Sequence, residues 1–377
     1  KRALELTLIL SLVCALFAVQ VDVNHMGQQK VSQEQQASPA LSINPVKDEK
    51  EFTTLVELLQ EQLGGKCLST TDEFFAECSN LVKPGRGITN NEYTDRGKWM
   101  DGWESRRKRT PGHDWAILQL GLSGVIRGVD IDTNNFIGNY PYYASLEAAE
   151  VARGDSVDSA QWIQILPKVP LNATSQHLFR IDERFAAQRF THVKLHIYPD
   201  GGVARLRIYG DVSIDWTKYT ADEVVDLAAV ENGGVAVYVS DEHFGKKSKI
   251  NSPGRGINMG DGWETRRRRG PGNDWIIVRL GATCKNLRKI EIDTAHYKGN
   301  FPDSASVEGI YLEESLGSHV ALGWKQLLPQ SKLKADTQHY FETKDFASSE
   351  NVNVNHVRLN IFPDGGVGRI RVWCVRM

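Results

Sequence analysis

The densest concentration of reactive side chains lies in one short stretch that the chain contains twice. Asp101-Gly102-Trp103-Glu104-Ser105-Arg106-Arg107-Lys108-Arg109, followed by Pro111-Gly112-His113-Asp114-Trp115, recurs as Asp261-Gly262-Trp263-Glu264-Thr265-Arg266-Arg267-Arg268-Arg269 and Pro271-Gly272-Asn273-Asp274-Trp275. Each copy sets three carboxylates beside a run of basic groups. Arg presents a planar fork that grips a carboxylate through two hydrogen bonds, and neighbouring Asp and Glu serve as acid and base when their surroundings push their pKa values apart. The chemistry expected is recognition of a small anion with proton transfer beside it. The competing reading is structural, with Trp103 and Trp115 as core anchors and the charge run as a solvated face. Nucleic acid is a poor partner, because Asp101, Glu104 and Asp114 dilute the Arg run and no aromatic platform alternates with it.

Other site signatures are weaker. His192 and His196 share a strand face, but the second copy has Asn360 in place of the second His, and no zinc motif occurs. His177 and His339 occur in both copies, where a loop His more often hydrogen-bonds locally. No phosphate loop or serine-nucleophile elbow is present. The five cysteines, Cys14, Cys67, Cys78, Cys284 and Cys374, are scattered and odd in number, which argues against a disulfide scaffold and for a reducing compartment.

The elements that must position the motif repeat with it. Pro84-Gly85-Arg86-Gly87-Ile88 returns as Pro253-Gly254-Arg255-Gly256-Ile257, Gly138-Asn139-Tyr140-Pro141 as Gly299-Asn300-Phe301-Pro302, and Pro199-Asp200-Gly201-Gly202-Val203 as Pro363-Asp364-Gly365-Gly366-Val367. A spacing of about 160 residues means duplicated domains rather than a solenoid, whose repeats run about 20–50. The bounds expected are 52–210 and 221–374. Alternation marks strands: Ala116, Leu118 and Leu120 share one face, as do Ile276, Val278 and Leu280. Around Pro199–Gly202 a hairpin is expected, with Leu195 opposite Leu206 and Val193 opposite Ile208 on one face. The other face then pairs His196 with Arg205, Lys194 with Arg207 and His192 with Tyr209 (Asn360 with Arg369, Arg358 with Arg371 and His356 with Trp373 in the second copy). Like charges across a strand pair repel, so the outward Asp130 and Asp132, with Glu291 and Asp293, are expected to neutralise them. A structural salt-bridge face is favoured there over a substrate face. Short strands and Gly/Pro-rich turns predict an all-β protein of two jelly-roll sandwiches.

Length and charge agree. The 377 residues are 41% hydrophobic and 24% charged, and Lys+Arg 45 against Asp+Glu 47 leaves a net charge of -2, with no global field for nucleic acid or anionic membrane. Before the repeats, Lys1-Arg2 and the apolar run Leu6–Val19 have the shape of a signal peptide, with a membrane anchor or an extension foreign to the fold (Met26 being an alternative start) as the other readings. Residues 27–50 read as a polar linker.

The duplicated DGWE[ST]RR motif, the IDT…GN[YF]P segments and the PDGGV turns resemble the allantoicase family over residues 52–374. The resemblance implies two jelly-roll modules related to galactose-binding-like domains, hydrolysis of allantoate to ureidoglycolate and urea in purine degradation, homo-oligomers, and a cytoplasmic or peroxisomal location, although the chain ends Val375-Arg376-Met377 without a Ser-Lys-Leu address. Set against that chemistry, the expected acid and base candidates are Asp101, Glu104 and His177, with Asp261, Glu264 and His339 in the second copy. Arg106 and Arg107, with Arg266 and Arg267, would hold the substrate carboxylate, and Asn139 and Asn300 the ureido groups. No cofactor or metal ligand is legible in the residues; manganese is the metal the resemblance leaves open. The alternative from another class is a non-catalytic module binding carbohydrate or a small anion.

Overall fold

The computed structural model describes residues 41, 44–46, 50–152, 154–313 and 322–377; the apolar run Leu6–Val19 and most of the linker lie outside them. Apart from a four-residue helix and short helical turns, the regular structure of the described residues is strand. In the first repeat the strands that matter are β1 (Lys66–Thr70), β2 (Trp103–Glu104), β3 (Asp114–Asp132), β4 (Tyr143–Ala149), β5 (Ile163–Pro170), β6 (Gln176–Arg180), β7 (Phe190–Tyr198), β8 (Gly202–Val203) and β9 (Arg205–Val212). The second repeats them as β10 (Val235–Val239), β11 (Trp263–Glu264), β12 (Asp274–Asp293), β13 (Ser304–Ile310), β14 (Lys325–Lys332), β15 (Gln338–Glu342), β16 (Val354–Phe362), β17 (Gly366–Val367) and β18 (Arg369–Arg376).

The long strand β3 belongs to both sheets of its sandwich. Its first part pairs with β1 and β7, and β7 continues to β4 and β5. Its second part pairs with β6 and β9. All these pairs are antiparallel. The change of sheet falls between Gln119 and Gly124, where the register against β7 shifts. A side chain at Gly124 would meet the Asp211 carbonyl oxygen at 2.3 Å, so the close approach there needs glycine. β12 plays the same part in the second repeat, pairing with β10 and β16 and then with β15 and β18.

Alternation places the core. Ala116, Leu118 and Leu120 are 0–4% exposed, and Val129, Ile131, Val193, Leu195, Ile197, Leu206 and Ile208 are all at 0%. Each such aliphatic side chain contributes about 1.5–3 kcal/mol by leaving water. The expected hairpin between β7 and β9 does not form. Both strands pair with β3 instead, on opposite sheets, and the Pro199–Ala204 segment carries the chain across, with β8 paired to β2. The alternation was sound, but a period of two says which face is buried and not which strand lies alongside.

The charged face is resolved by the same crossing. Arg205 lies directly opposite Asp132 and Arg207 opposite Asp130 on β3. Asp130 and Asp132 are not solvent-facing: they are 3% and 2% exposed. Arg86 binds Asp132 at 2.9 Å, Arg205 binds Asp101 at 2.9 Å and Arg207 binds Glu57 at 3.1 Å. In the second repeat Arg369 binds Asp261 at 2.9 Å and Arg255 binds Asp293 at 3.1 Å. These are structural ion pairs, with Arg205 and Arg369 buried and Arg86 and Arg255 reaching in from the surface.

The cysteine expectation is overturned. Cys67 and Cys78 are bridged, as are Cys284 and Cys374. Scattered spacing is no obstacle, because antiparallel pairing brings residues 90 apart in sequence to a Cα separation of 5.4 Å. The bridges sit at different places in the two repeats, Cys67 and Cys78 matching Ala236 and Lys247 at the offset of 169. Among the described residues no helix is long and apolar enough to cross a membrane.

Candidate functional site

Each repeat builds one cleft around its Glu. In the first, β2 is held between β8 and the backbone of Ala76, so Trp103 turns inward, fully buried, while Glu104 alternates to the other side. The Trp103 indole donates to the Asp72 carbonyl at 2.8 Å, consistent with a core anchor. From Ser105 the chain runs on extended: the Ser105 amide donates to the Gly201 carbonyl, Arg106 to the Asp72 carboxylate at 2.7 Å and Lys108 to Asp200 at 2.7 Å. Extended backbone separates the basic run into two sides. Arg106 pairs with Asp72 and Lys108 with Asp114, which places them on one. Arg107 and Arg109 line the cleft on the other, reached also by Lys108, whose amine stays with Asp114; the two arginines are exposed and without a protein partner among the described residues.

The cleft has a volume of about 650 Å3 and is also walled by Phe75, Asn139, Tyr140, Tyr142 and Asp200. Asn139 is fixed by its own carbonyl, which accepts from the Gly202 amide at 2.7 Å, and its side-chain amide donates to Glu104 Oε1 at 2.8 Å. Glu104 is 9% exposed. Burial pushes its carboxyl above the ordinary value, and the Asn139 bond only partly offsets this. A carboxyl of raised pKa, one amide to orient it and two free guanidinium groups can bind an anion and exchange a proton with it.

The second repeat has the same construction. Glu264 accepts from Asn300 at 2.6 Å, and the Asn300 carbonyl accepts from Gly366 at 2.8 Å. Arg266 pairs with Asp241 and Arg268 with Asp274, leaving Arg267 and Arg269 to line a cleft of about 540 Å3 with Phe244 and Phe301. Tyr142 is replaced by Asp303, held by Lys332 at 2.7 Å.

Of the residues singled out from sequence, the structure thus brings together Glu104, Arg107 and Asn139, and Glu264, Arg267 and Asn300. It places others apart. Asp101 receives the Ile88 amide at 2.8 Å and Arg205 at 2.9 Å; burial would raise its carboxyl, but these bonds hold it low. Asp261 takes Arg369 in the same way. His177 is 8% exposed with both ring nitrogens occupied, Nε2 accepting from the Asn172 amide at 2.8 Å and Nδ1 facing the Ile131 carbonyl at 2.8 Å. His339 repeats this with Lys334 and Ile292. Arg106 is committed to Asp72, and Arg266, though at the second cleft, to Asp241. Arg109 and Arg269 join Arg107 and Arg267 at the clefts, since an extended backbone puts them on the same side.

No metal centre takes shape. His196 bonds His113 at 2.9 Å and Glu147 at 2.8 Å, and His192 bonds Thr191. Among the described residues no group of three or more His, Cys, Asp or Glu side chains could hold a metal ion.

Twin clefts of this kind on a duplicated sandwich define a tandem jelly-roll protein with an arginine-lined cleft in each copy. A family model described as the allantoicase repeat matches residues 56–213 and 225–377. Among curated relatives, a probable allantoicase of Photobacterium profundum is 50% identical over 327 residues, covering 85% of this chain and 97% of that one. One from Burkholderia mallei is 48% identical over 328 residues, covering 86% and 95%. Among solved structures, the allantoicase of Saccharomyces cerevisiae superposes with a TM-score of 0.73 at 37% identity, covering 89% of this chain and all of that one. A second allantoicase structure gives 0.71 at 38%, covering 85% and 93%. The chain belongs to the allantoicase family.

Proposed function

We propose that the chain hydrolyses allantoate to ureidoglycolate and urea, the ureide step of purine degradation, with Glu104 and Glu264 as the groups that move the proton. Allantoate carries a carboxylate on a carbon that also bears two ureido groups. Arg107 and Arg109 bind that carboxylate, an arrangement supported by their shared side and their freedom from protein partners. Asn139 holds Glu104 through one carboxyl oxygen. The protonated carboxyl gives its proton to one ureido nitrogen as the C–N bond breaks, and the bonding pair leaves with urea. The lone pair of the remaining ureido nitrogen forms a C=N bond to the central carbon. Water then adds to that carbon, returning a proton to the Glu104 carboxylate, so one residue is acid and then base and the cycle closes. No step is routed through a metal, since the described residues offer no ligand set.

The observation that carries this reading is an amide-held carboxyl beside two unpaired arginines in both repeats, buried in the first and half-buried in the second. Its test is urea release from allantoate by E104Q/E264Q, with and without EDTA and added manganese. A loss of about 10²–10⁴-fold in kcat is expected, and an unchanged rate would overturn the assignment. Exposed Ile137 and Tyr142 beside the first cleft support assembly of copies. The family resemblance points to cytoplasm or peroxisome, whereas the two bridges support an oxidising compartment.

A further inference from the structure

We propose that the Cys67–Cys78 disulfide is a positioning element of the first cleft: it ties the loop that covers Glu104 to the rigid sheet, and reducing it releases that loop. This rests on the reading of Glu104 given above. Cys67 lies in β1, which is paired along β3. Cys78 opens a short helical turn, Cys78–Val82, with Leu81 and Val82 buried, and Asn80 in that turn donates to the Gly102 carbonyl at 2.9 Å. The segment between the cysteines grips the catalytic strand. The amides of Phe75 and Ala76 donate to the Glu104 carbonyl, the Glu104 amide donates to Ala76, and Asp72 receives both the Trp103 indole and Arg106. Phe75 also lines the cleft itself. A bridge across an 11-residue separation therefore decides how freely the cover of Glu104 moves.

The second repeat is an internal control. Phe244 and Gly245 make the same backbone bonds to Glu264, but Ala236 and Lys247 stand where the cysteines would be. There the Glu is less deeply buried than Glu104. Cys67 is partly exposed, so a dithiol can reach it; two electrons from the dithiol turn the bridge into two thiols, and the dithiol leaves as its own disulfide.

The test uses the full chain in an E264Q background, where the first cleft alone works, and compares oxidised protein, dithiol-treated protein and C67A/C78A. Loosening the cover lets water reach Glu104, whose facing charged groups Arg107, Lys108, Arg109 and Asp200 are unaltered. The alkaline limb of the kcat/KM profile, where Glu104 loses its proton, should then move down by roughly half a pH unit or more. With it kcat should fall several-fold, while KM changes less than about twofold because the arginines are untouched. In an E104Q background the same dithiol should leave the second cleft's profile unmoved, and C284A/C374A should lower the melting temperature without moving either profile. A bridge shown open by thiol alkylation and mass, with kcat and profile unchanged, refutes the proposal; this reduction experiment decides even if C67A/C78A does not fold. Full activity in E104Q/E264Q would instead bring down the reading of the site, and this proposal with it.

Discussion

Replacing Arg107 and Arg109 by Gln, together with Arg267 and Arg269, removes the four cleft guanidinium groups that have no protein partner among the described residues while leaving the structural ion pairs intact. A hydrogen bond between charged groups contributes about 1.5–3 kcal/mol. All four arginines are exposed, so solvent screening favours the lower end, and two bonds per cleft give about 3 kcal/mol, or on the order of 10²-fold in affinity. The substrate carboxylate keeps its charge throughout the reaction, so the loss is uniform binding: KM rises about 10²-fold and kcat changes little. Initial rates of urea release across allantoate concentrations separate the two constants, and added salt should raise the wild-type KM by screening the same contacts. Arg106→Gln with Arg266→Gln is the contrast. Arg106 is 65% exposed and already bound to Asp72, so its loss costs at most about 1 kcal/mol of stability and leaves KM within a few-fold. If that pair raised KM as much as the quadruple change, or the quadruple change left KM unmoved, the division of the basic run by side would be wrong.

Two stability experiments follow from other buried groups. Burial pushes the Asp130 carboxyl from 3.8 to about 6, with Asp132 adding to the rise and Gln176 and Arg207 opposing it. A pKa raised in the folded state contributes stability that is complete below about pH 4 and lost as pH rises through 6; two units amount to about 3 kcal/mol. Asp130→Asn should therefore gain stability relative to wild type between pH 4 and 7 in urea denaturation, and the opposite slope would mean that the ionised form is the better accommodated one. The Cys284–Cys374 bridge spans 90 residues, and both cysteines are fully buried. Its removal in C284A/C374A should cost about 4–5 kcal/mol on the chain-entropy model and lower the melting temperature by many degrees, whereas alkylation of these thiols in the native wild-type protein would show that no bridge exists.

How much was legible depended on the range of the interaction. Ala116, Leu118 and Leu120 announced a buried strand face because the period is local. That β7 and β9 flank β3 on different sheets was not legible, because it depends on one 19-residue strand serving both sheets. Glu104 and Asn139 could be singled out by their chemistry, but only the fold shows that a residue 35 positions away takes the carboxyl oxygen. Arg106 to Arg109 look alike as letters; the extended backbone makes two of them structural and two available. Asp101 and His177 carry reactive groups whose hydrogen-bonding capacity is spent on Arg205, Ile88, Asn172 and Ile131, which no residue type reveals.

The duplication lets the two halves of the chain sort function from context. Both retain the Glu–Asn bond, the two unpaired arginines and the buried Arg–Asp ladder, although flanking positions differ. The ladder is required by the fold, because the buried guanidinium groups of Arg205 and Arg207, like Arg369 and Arg371, need counter-charges. The Glu–Asn–Arg set has no such reason: an exposed, unpaired Arg stabilises nothing, and in the first repeat the buried Glu104 carboxyl held by one amide costs stability when ionised. Groups that the fold does not need, placed together twice around an open cleft, are best explained by a ligand. By the same test the His113–His196–Glu147 row and the two disulfides, each confined to one repeat, cannot be part of the shared chemistry; of these the Cys67–Cys78 bridge belongs to what distinguishes the two clefts, and comparing the first cleft with that bridge open and closed measures the difference directly.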